Sequence, residues 1–114
     1  MEIKGDNYKV CYDTNSASVN FHGSLRLNGM TEYSPILDML TGIIDSNPSR
    51  LTLNLMHLEF LNSSGITMLS KFLIGMRNNQ TIHLMVLASN GIPWQGKLLK
   101  NLQRLVPNLN FKIV

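Results

Sequence analysis

The run Asn-Ser-Ser-Gly at residues 62–65 holds the side chains best placed for chemistry. It follows an apolar, β-prone stretch at 51–61 and precedes a helix-patterned stretch at 66–76. The first backbone N–H groups of a helix lack intrahelical acceptors and lie at the positive end of its dipole, so a phosphate attached there gains hydrogen-bond donors. A serine in this run is therefore a candidate phosphoacceptor, although Ser, Asn and Gly are also the residues that cap helices in any protein.

The outward face of the helix predicted at 66–76 is a candidate docking surface. Projection at about 100° per residue places a group of polar and apolar side chains together, opposite the buried stripe. Single exposed apolar residues are unremarkable, but a set of them beside a serine suggests a partner-binding patch. The predicted partner-binding residues are Asn62, Gly65, Thr67, Met68, Lys71 and Ile74, next to Ser64.

A second candidate site lies on the helix predicted at 97–105. Lys97, Lys100 and Arg104 share one face, opposite the leucines at 98, 102 and 105. Such a stripe can bind an anionic ligand, nucleic acid or an acidic protein, but it lacks interleaved aromatic residues, so a solvated surface is the default and nucleic acid is not the expected partner. Trp94 precedes the stripe, and we predict that it covers an edge of the core first and anchors a partner second.

Catalysis has little support in the sequence. The histidines at 22, 57 and 83 and the single cysteine, Cys11, match no spacing typical of a metal site or an activated nucleophile. The serine run lacks the Gly-x-Ser-x-Gly elbow of hydrolases, and no Gly-rich phosphate loop ends in Gly-Lys-Ser/Thr. We predict a protein that is not an enzyme and that needs no cofactor or metal.

Length and charge set further bounds. A chain of 114 residues is the size of one domain, which we predict to span residues 1–114. The net charge of +3 is unevenly distributed: residues 1–59 hold four Lys or Arg and seven Asp or Glu, whereas residues 60–114 hold six basic residues and no acidic ones. One cysteine is typical of a reducing compartment, and no apolar run resembles a secretion signal or a membrane span, so the expected location is cytoplasmic, without membrane contact.

The hydrophobic pattern alternates between strand and helix periods. It predicts strands at 8–12, 18–27, 51–56, 82–88 and 111–114, and helices at 33–44, 66–76 and 97–105. The order β-β-α-β-α-β-α-β predicts an α/β domain with a mixed sheet, right-handed crossovers and helices packed against the sheet.

This order, together with the motif at 62–65, resembles the STAS domain family of bacterial anti-sigma-factor antagonists. The chain has Leu-Asn-Leu at 53–55, then Leu-Glu-Phe-Leu at 58–61, and then the Asn-Ser-Ser-Gly run. The resemblance implies a signalling protein whose partner is a serine kinase that is also an anti-sigma factor. It further implies that phosphorylation of the second serine, Ser64, releases that partner, with Ser63 as the less favoured acceptor.

One position departs from the family pattern, because Asn62 replaces the aspartate of the motif. Asparagine keeps the capping ability and loses the charge. If the carboxylate serves the kinase reaction or kinase recognition, the chain is instead a constitutive interaction or scaffold module. A further alternative is a STAS-like domain that binds a small anion or nucleotide at the start of its second helix.

Overall fold

The computed structural model describes residues 1–77, 79 and 81–114. Within them lie six strands and three helices. The strands are β1 (Glu2–Lys4), β2 (Tyr8–Asp13), β3 (Ser18–Leu25), β4 (Arg50–Leu61), β5 (His83–Ala88) and β6 (Asn110–Ile113). The helices are α1 (Gly29–Asp45), α2 (Ser63–Met76) and α3 (Pro93–Leu105). The predicted order is confirmed, with the short strand β1 added before it.

The strands form one mixed sheet in the order β1-β2-β3-β4-β5-β6. The pairs β1–β2 and β2–β3 are antiparallel, and β3 to β6 are parallel. Because the parallel strands follow one another in a single direction, right-handed connections place α1, α2 and α3 on the same face. Burial agrees with this arrangement: Val19 and Leu53 on the helix face are buried, whereas Asn20 and Asn54 on the other face are only half-buried. The predicted α/β architecture is confirmed.

Strand β4 is longer than the sequence pattern predicts. It continues beyond the predicted 51–56 to Leu61, and two irregularities interrupt its pairing with β3. Each bulge inserts an extra residue, so the leucines that face the helices change their spacing from two residues to three, as at Leu55, Leu58 and Leu61. A spacing of three residues is not the two-residue period of a strand, so the sequence pattern does not predict the second half of β4. This second half leads directly into α2.

The other boundaries differ by a few residues. Strand β3 ends at Leu25 rather than at 27, and α1 begins at Gly29 and includes Pro35 near its start. Helix α3 begins at Pro93 rather than at 97, since proline is well suited to the first turn of a helix, where its missing N–H costs nothing. Among the described residues, no helix is long and apolar enough to cross a membrane.

The side chain of Gln95 ties α3 to the end of β4. It is fully buried, its Nε2 donates to the carbonyls of Leu55 (2.6 Å) and Leu58 (2.9 Å), and its Oε1 accepts from the N–H of Ser89 (2.7 Å). The pairing of β4 with β5 ends at Asn54, so these two β4 carbonyls lie beyond the last paired residue of the ladder. Gln95 supplies the hydrogen bonds that a buried backbone requires.

Candidate functional site

Asn62 caps α2 and joins three parts of the fold. Its backbone is extended (φ −78°, ψ 175°), and its Oδ1 accepts from the N–H of Gly65 (3.0 Å) and from the hydroxyl of Tyr33 (2.6 Å). Its Nδ2 donates to the carbonyl of Leu27 (2.8 Å). The predicted capping role is confirmed. An amide side chain can accept from Gly65 and Tyr33 and also donate to Leu27, whereas an ionised carboxylate has no donor for the Leu27 carbonyl.

Tyr33 and Gly65 complete the support beneath the cap. Tyr33 is fully buried, and burial raises the pKa of its hydroxyl, which therefore stays protonated and donates to Asn62. Gly65 is also buried, and a Cβ at this position would lie 2.2 Å from a methyl carbon of Leu61 and 2.7 Å from the Tyr33 oxygen. Gly65 therefore serves packing inside the domain and presents no side chain to a partner, which corrects its predicted place on the docking surface.

The two serines occupy the first turn of α2, as predicted. Ser63 is exposed and Ser64 is half-buried. The Ser63 carbonyl accepts a hydrogen bond from the hydroxyl of Thr67 (3.0 Å). By helix geometry, the N–H groups of both serines precede the first intrahelical hydrogen bond, so they point toward any anion held at this end.

The predicted docking surface on α2 needs one further correction. Thr67, Lys71 and Ile74 are exposed, and Ile74 retains 37% of its accessible surface. Met68, in contrast, is fully buried, so the prediction that it faces solvent is wrong. Helix α1 packs along this flank of α2 and widens the buried arc beyond the stripe that faces the sheet.

A shallow cavity of about 270 Å³ borders the exposed part of this surface. It lies between α1 and α2 and is lined by Leu37 and Ile44 on one side and by Lys71 and Gly75 on the other. No side chain fills the space above Gly75, where an added Cβ would meet no described atom within 4 Å. We call Ser64, Thr67, Lys71 and Ile74, with this cavity, the α2 patch.

The basic stripe on α3 forms as predicted. Lys97, Lys100 and Arg104 are all exposed. Leu98 and Leu102 are buried, but Leu105, expected on the same apolar face, is 44% exposed. Within residues 1–77, 79 and 81–114 the one ion pair joins Lys9 of β2 to Glu2 of β1 (3.9 Å), so the stripe is not neutralised by an acidic neighbour there.

Trp94 covers a core edge, as the sequence predicts. It is half-buried, and its indole Nε1 donates to the carbonyl of Glu59 (2.9 Å).

The face of the sheet without helices holds a cluster that sequence reasoning missed. His22 and His57, on adjacent parallel strands, stack with ring centroids 5.3 Å apart and planes 2° from parallel. Burial, then the charges of His57 and Lys9, lower the pKa of His22. Among the described residues, no group of three or more His, Cys, Asp or Glu side chains comes together as a metal site. Only the register of β3 against β4 could have identified this pair.

A mixed sheet with three helices on one face, and a second helix capped at an Asn-Ser-Ser-Gly turn, defines a STAS-like fold. No family model and no curated protein matches the sequence. Solved structures do match. One is a chain of the complex between the diguanylate cyclase SiaD and its activator SiaC from Pseudomonas aeruginosa, with TM-score 0.75 and 15% identity over 99% of this chain and 97% of that chain.

Two further structures have the same architecture. SiaC of Pseudomonas aeruginosa has TM-score 0.74 and 14% identity, over 100% of this chain and 98% of that chain. An anti-sigma factor antagonist from Mycobacterium paratuberculosis has TM-score 0.60 and 17% identity, over 96% of this chain and 82% of that chain. The resemblance to the STAS fold is thereby confirmed.

Proposed function

We propose that this protein is a non-enzymatic, cytoplasmic regulator that binds a signalling protein through the α2 patch, with Ser64 as the residue that a partner serine kinase phosphorylates. The observation that carries the proposal is the position of Ser64, in the first turn of a helix that follows a parallel strand and is fixed by the Asn62 cap. Two neighbours in fold add support, since one is described as an activator in complex with a diguanylate cyclase and another as an anti-sigma factor antagonist.

A phosphate at Ser64 would act mainly on the complex. It adds a charge of about −1.5 to −2, which the helix N-terminus stabilises by roughly 0.3–1 kcal/mol in the free domain. An interface that closes over the phosphate without pairing it must remove its water, at a cost of several kcal/mol. The second effect is larger, so phosphorylation releases a partner that offers no arginine at this point.

One observation favours a constitutive module as the second candidate. Both polar atoms of the Asn62 side chain are engaged within the fold, by Gly65, Tyr33 and Leu27. They are therefore not free to orient a serine hydroxyl or to hold a cation beside a donor nucleotide. In this alternative the protein binds its partner through the same α2 patch without a phosphate switch.

Phosphosite mapping of the protein from its native cells tests the switch. The wild type and the Ser64→Ala variant are compared by intact mass, and Ser63→Ala is the matched control. We expect one phosphate that is lost with Ser64→Ala and kept with Ser63→Ala. We also expect bound proteins to differ between Ser64→Ala and Ser64→Glu. An unphosphorylated Ser64 under varied growth conditions, with the same partner retained by both variants, would favour the constitutive module.

Substitutions on the α2 patch test the surface itself. Lys71→Glu combined with Ile74→Asp changes two exposed side chains and leaves the core intact. We expect loss of the captured partner with an unchanged melting temperature. Undiminished capture would exclude this surface for either candidate function.

A further inference from the structure

A second apolar groove runs along the opposite flank of α2, between α2 and α3. Its volume is about 480 Å³, and its walls include Phe60, Ile66, Trp94 and Leu105. Phe60 and Leu105, which both line the groove, keep 38% and 44% of their accessible surface, so the groove exposes more than one large apolar side chain. We propose that this α2–α3 groove binds an acidic amphipathic helix of a partner protein.

The backbone around the groove selects a helix as the occupant. Phe60 and Leu61 are the β4 residues that line the groove, and the β4 carbonyls before them already accept hydrogen bonds: those of Leu55 and Leu58 from Gln95, and that of Glu59 from the Trp94 indole. The two walls are helices, whose backbone groups bond within the helix. An extended peptide would find few partners for its own N–H and C=O groups, whereas a helix satisfies them internally and needs only an apolar floor.

The charge around the groove selects an acidic occupant. Lys97 lines the groove, and Lys100 and Arg104 are exposed on the same helix. Residues 60–114 contain no acidic side chain to oppose them. At one end, the guanidinium of Arg26 lies 4.4 Å from the centroid of the Phe60 ring. A helix with an apolar stripe and acidic flanks complements the groove, since its stripe covers the apolar floor and its carboxylates meet Lys97 on the α3 side and Arg26 at the Phe60 end.

Glu59 is the acidic residue next in sequence to the groove-lining Phe60. It lines a separate polar concavity together with Asn7, Ser24 and Arg26 and is absent from the lining of the α2–α3 groove, whose one charged lining residue is Lys97 among the residues that the structure describes.

The groove is separate from the α2 patch, so the two proposals can fail independently. Ile66 and Ser70 of α2 line the groove, whereas Lys71 and Gly75 line the cavity on the α1 side. Lys97→Glu and Lys71→Glu are therefore a matched pair: the same charge reversal at an exposed lysine, on either side of α2.

Fluorescence anisotropy with three labelled peptides tests the proposal on the whole chain. The probe is a helical peptide of about 15 residues, long enough to form a stable amphipathic helix when stapled, with leucines at i, i+3, i+4 and i+7 and glutamates on both flanks. One control peptide carries lysines in place of the glutamates, and the other has its leucines scrambled. We expect the acidic probe to bind, the two controls to bind at least about tenfold more weakly, and rising salt to weaken the acidic probe.

The variants locate the binding. We expect Lys97→Glu and Leu105→Ala each to weaken the acidic probe about tenfold, the effect of removing one important contact, and Lys71→Glu to change it less than about twofold. The Trp94 indole N–H signal in a ¹⁵N spectrum should shift on binding, and unchanged melting temperatures would show that each variant is folded. Absence of binding, equal binding of the lysine peptide, or equal loss in Lys71→Glu would overturn the proposal. Self-association that the probe displaces would overturn it too, by assigning the groove to a second copy.

Discussion

Replacement of Asn62 by alanine tests the central hydrogen-bond arrangement of the site. It removes the cap on the Gly65 N–H, which costs about 1 kcal/mol. It also leaves the fully buried Tyr33 hydroxyl without its acceptor, and an unsatisfied buried donor costs about 1–3 kcal/mol. The Leu27 carbonyl loses its donor but belongs to a half-buried residue that water can reach, so it adds little. We expect a total loss of about 2–4 kcal/mol, a large part of the roughly 5–15 kcal/mol typical of a domain.

Urea unfolding provides the measurement. The transition is followed by the fluorescence of Trp94, the one tryptophan of the chain, and by far-ultraviolet circular dichroism. The midpoint should fall while the slope with denaturant stays constant, since the folded state keeps its extent of burial. Asn62→Asp should cost less than Asn62→Ala, because a carboxylate still accepts from Gly65 and Tyr33, although its second oxygen then faces the Leu27 carbonyl without a proton between them.

A double-mutant cycle with Tyr33→Phe isolates the buried pair. In the double variant no hydroxyl is left unsatisfied, so its cost should be smaller than the sum of the two single costs by about 1 kcal/mol or more. A loss for Asn62→Ala below about 0.5 kcal/mol, the range of an ordinary surface substitution, would refute the reasoning. Additive costs would show that Tyr33 and Asn62 do not depend on each other.

Two further predictions concern packing and protonation. Gly65→Ala forces a Cβ to within 2.2 Å of Leu61 and should destabilise the domain by about 1–3 kcal/mol. The control Gly75→Ala meets open space and should be neutral or stabilising by up to about 1 kcal/mol. The urea unfolding midpoints of the two variants are compared with that of the wild type. The pKa of His22 is lowered in the folded protein, so the folded state binds the proton less readily than the unfolded state, and stability should fall as pH drops below 6.5. An NMR titration of the imidazole should give a midpoint under 6.5 that rises in His57→Gln. A midpoint at or above 6.5 would contradict the environment assigned to the ring.

Local chemistry was sufficient to predict most elements of this fold. Apolar spacing identified three helices and five of the strands. The capping preference of Asn-Ser-Ser-Gly indicated a helix start at 62–65, although the apolar period predicted the second helix only from 66 and α2 begins at Ser63. The alternation in β3 and the first half of β4 is regular, so strand type could be inferred without knowing what the strands pair with. Strand β1 was not predicted, because its three residues are too few to show a two-residue hydrophobic period.

The sequence alone determined the α/β order, the serine turn at the start of α2 and the basic stripe on α3, since each depends on residues close together in the chain. Only the tertiary structure decided what surrounds them. Met68 is buried because α1 covers a flank of α2 that a helical projection leaves open. Strand β4 reaches Leu61 although its apolar spacing changes from two residues to three, since bulges in its pairing with β3 accommodate the extra residues. The stack of His22 on His57 depends on the register between strands distant in sequence. Such contacts depend on how elements pack, and a local pattern carries no information about packing.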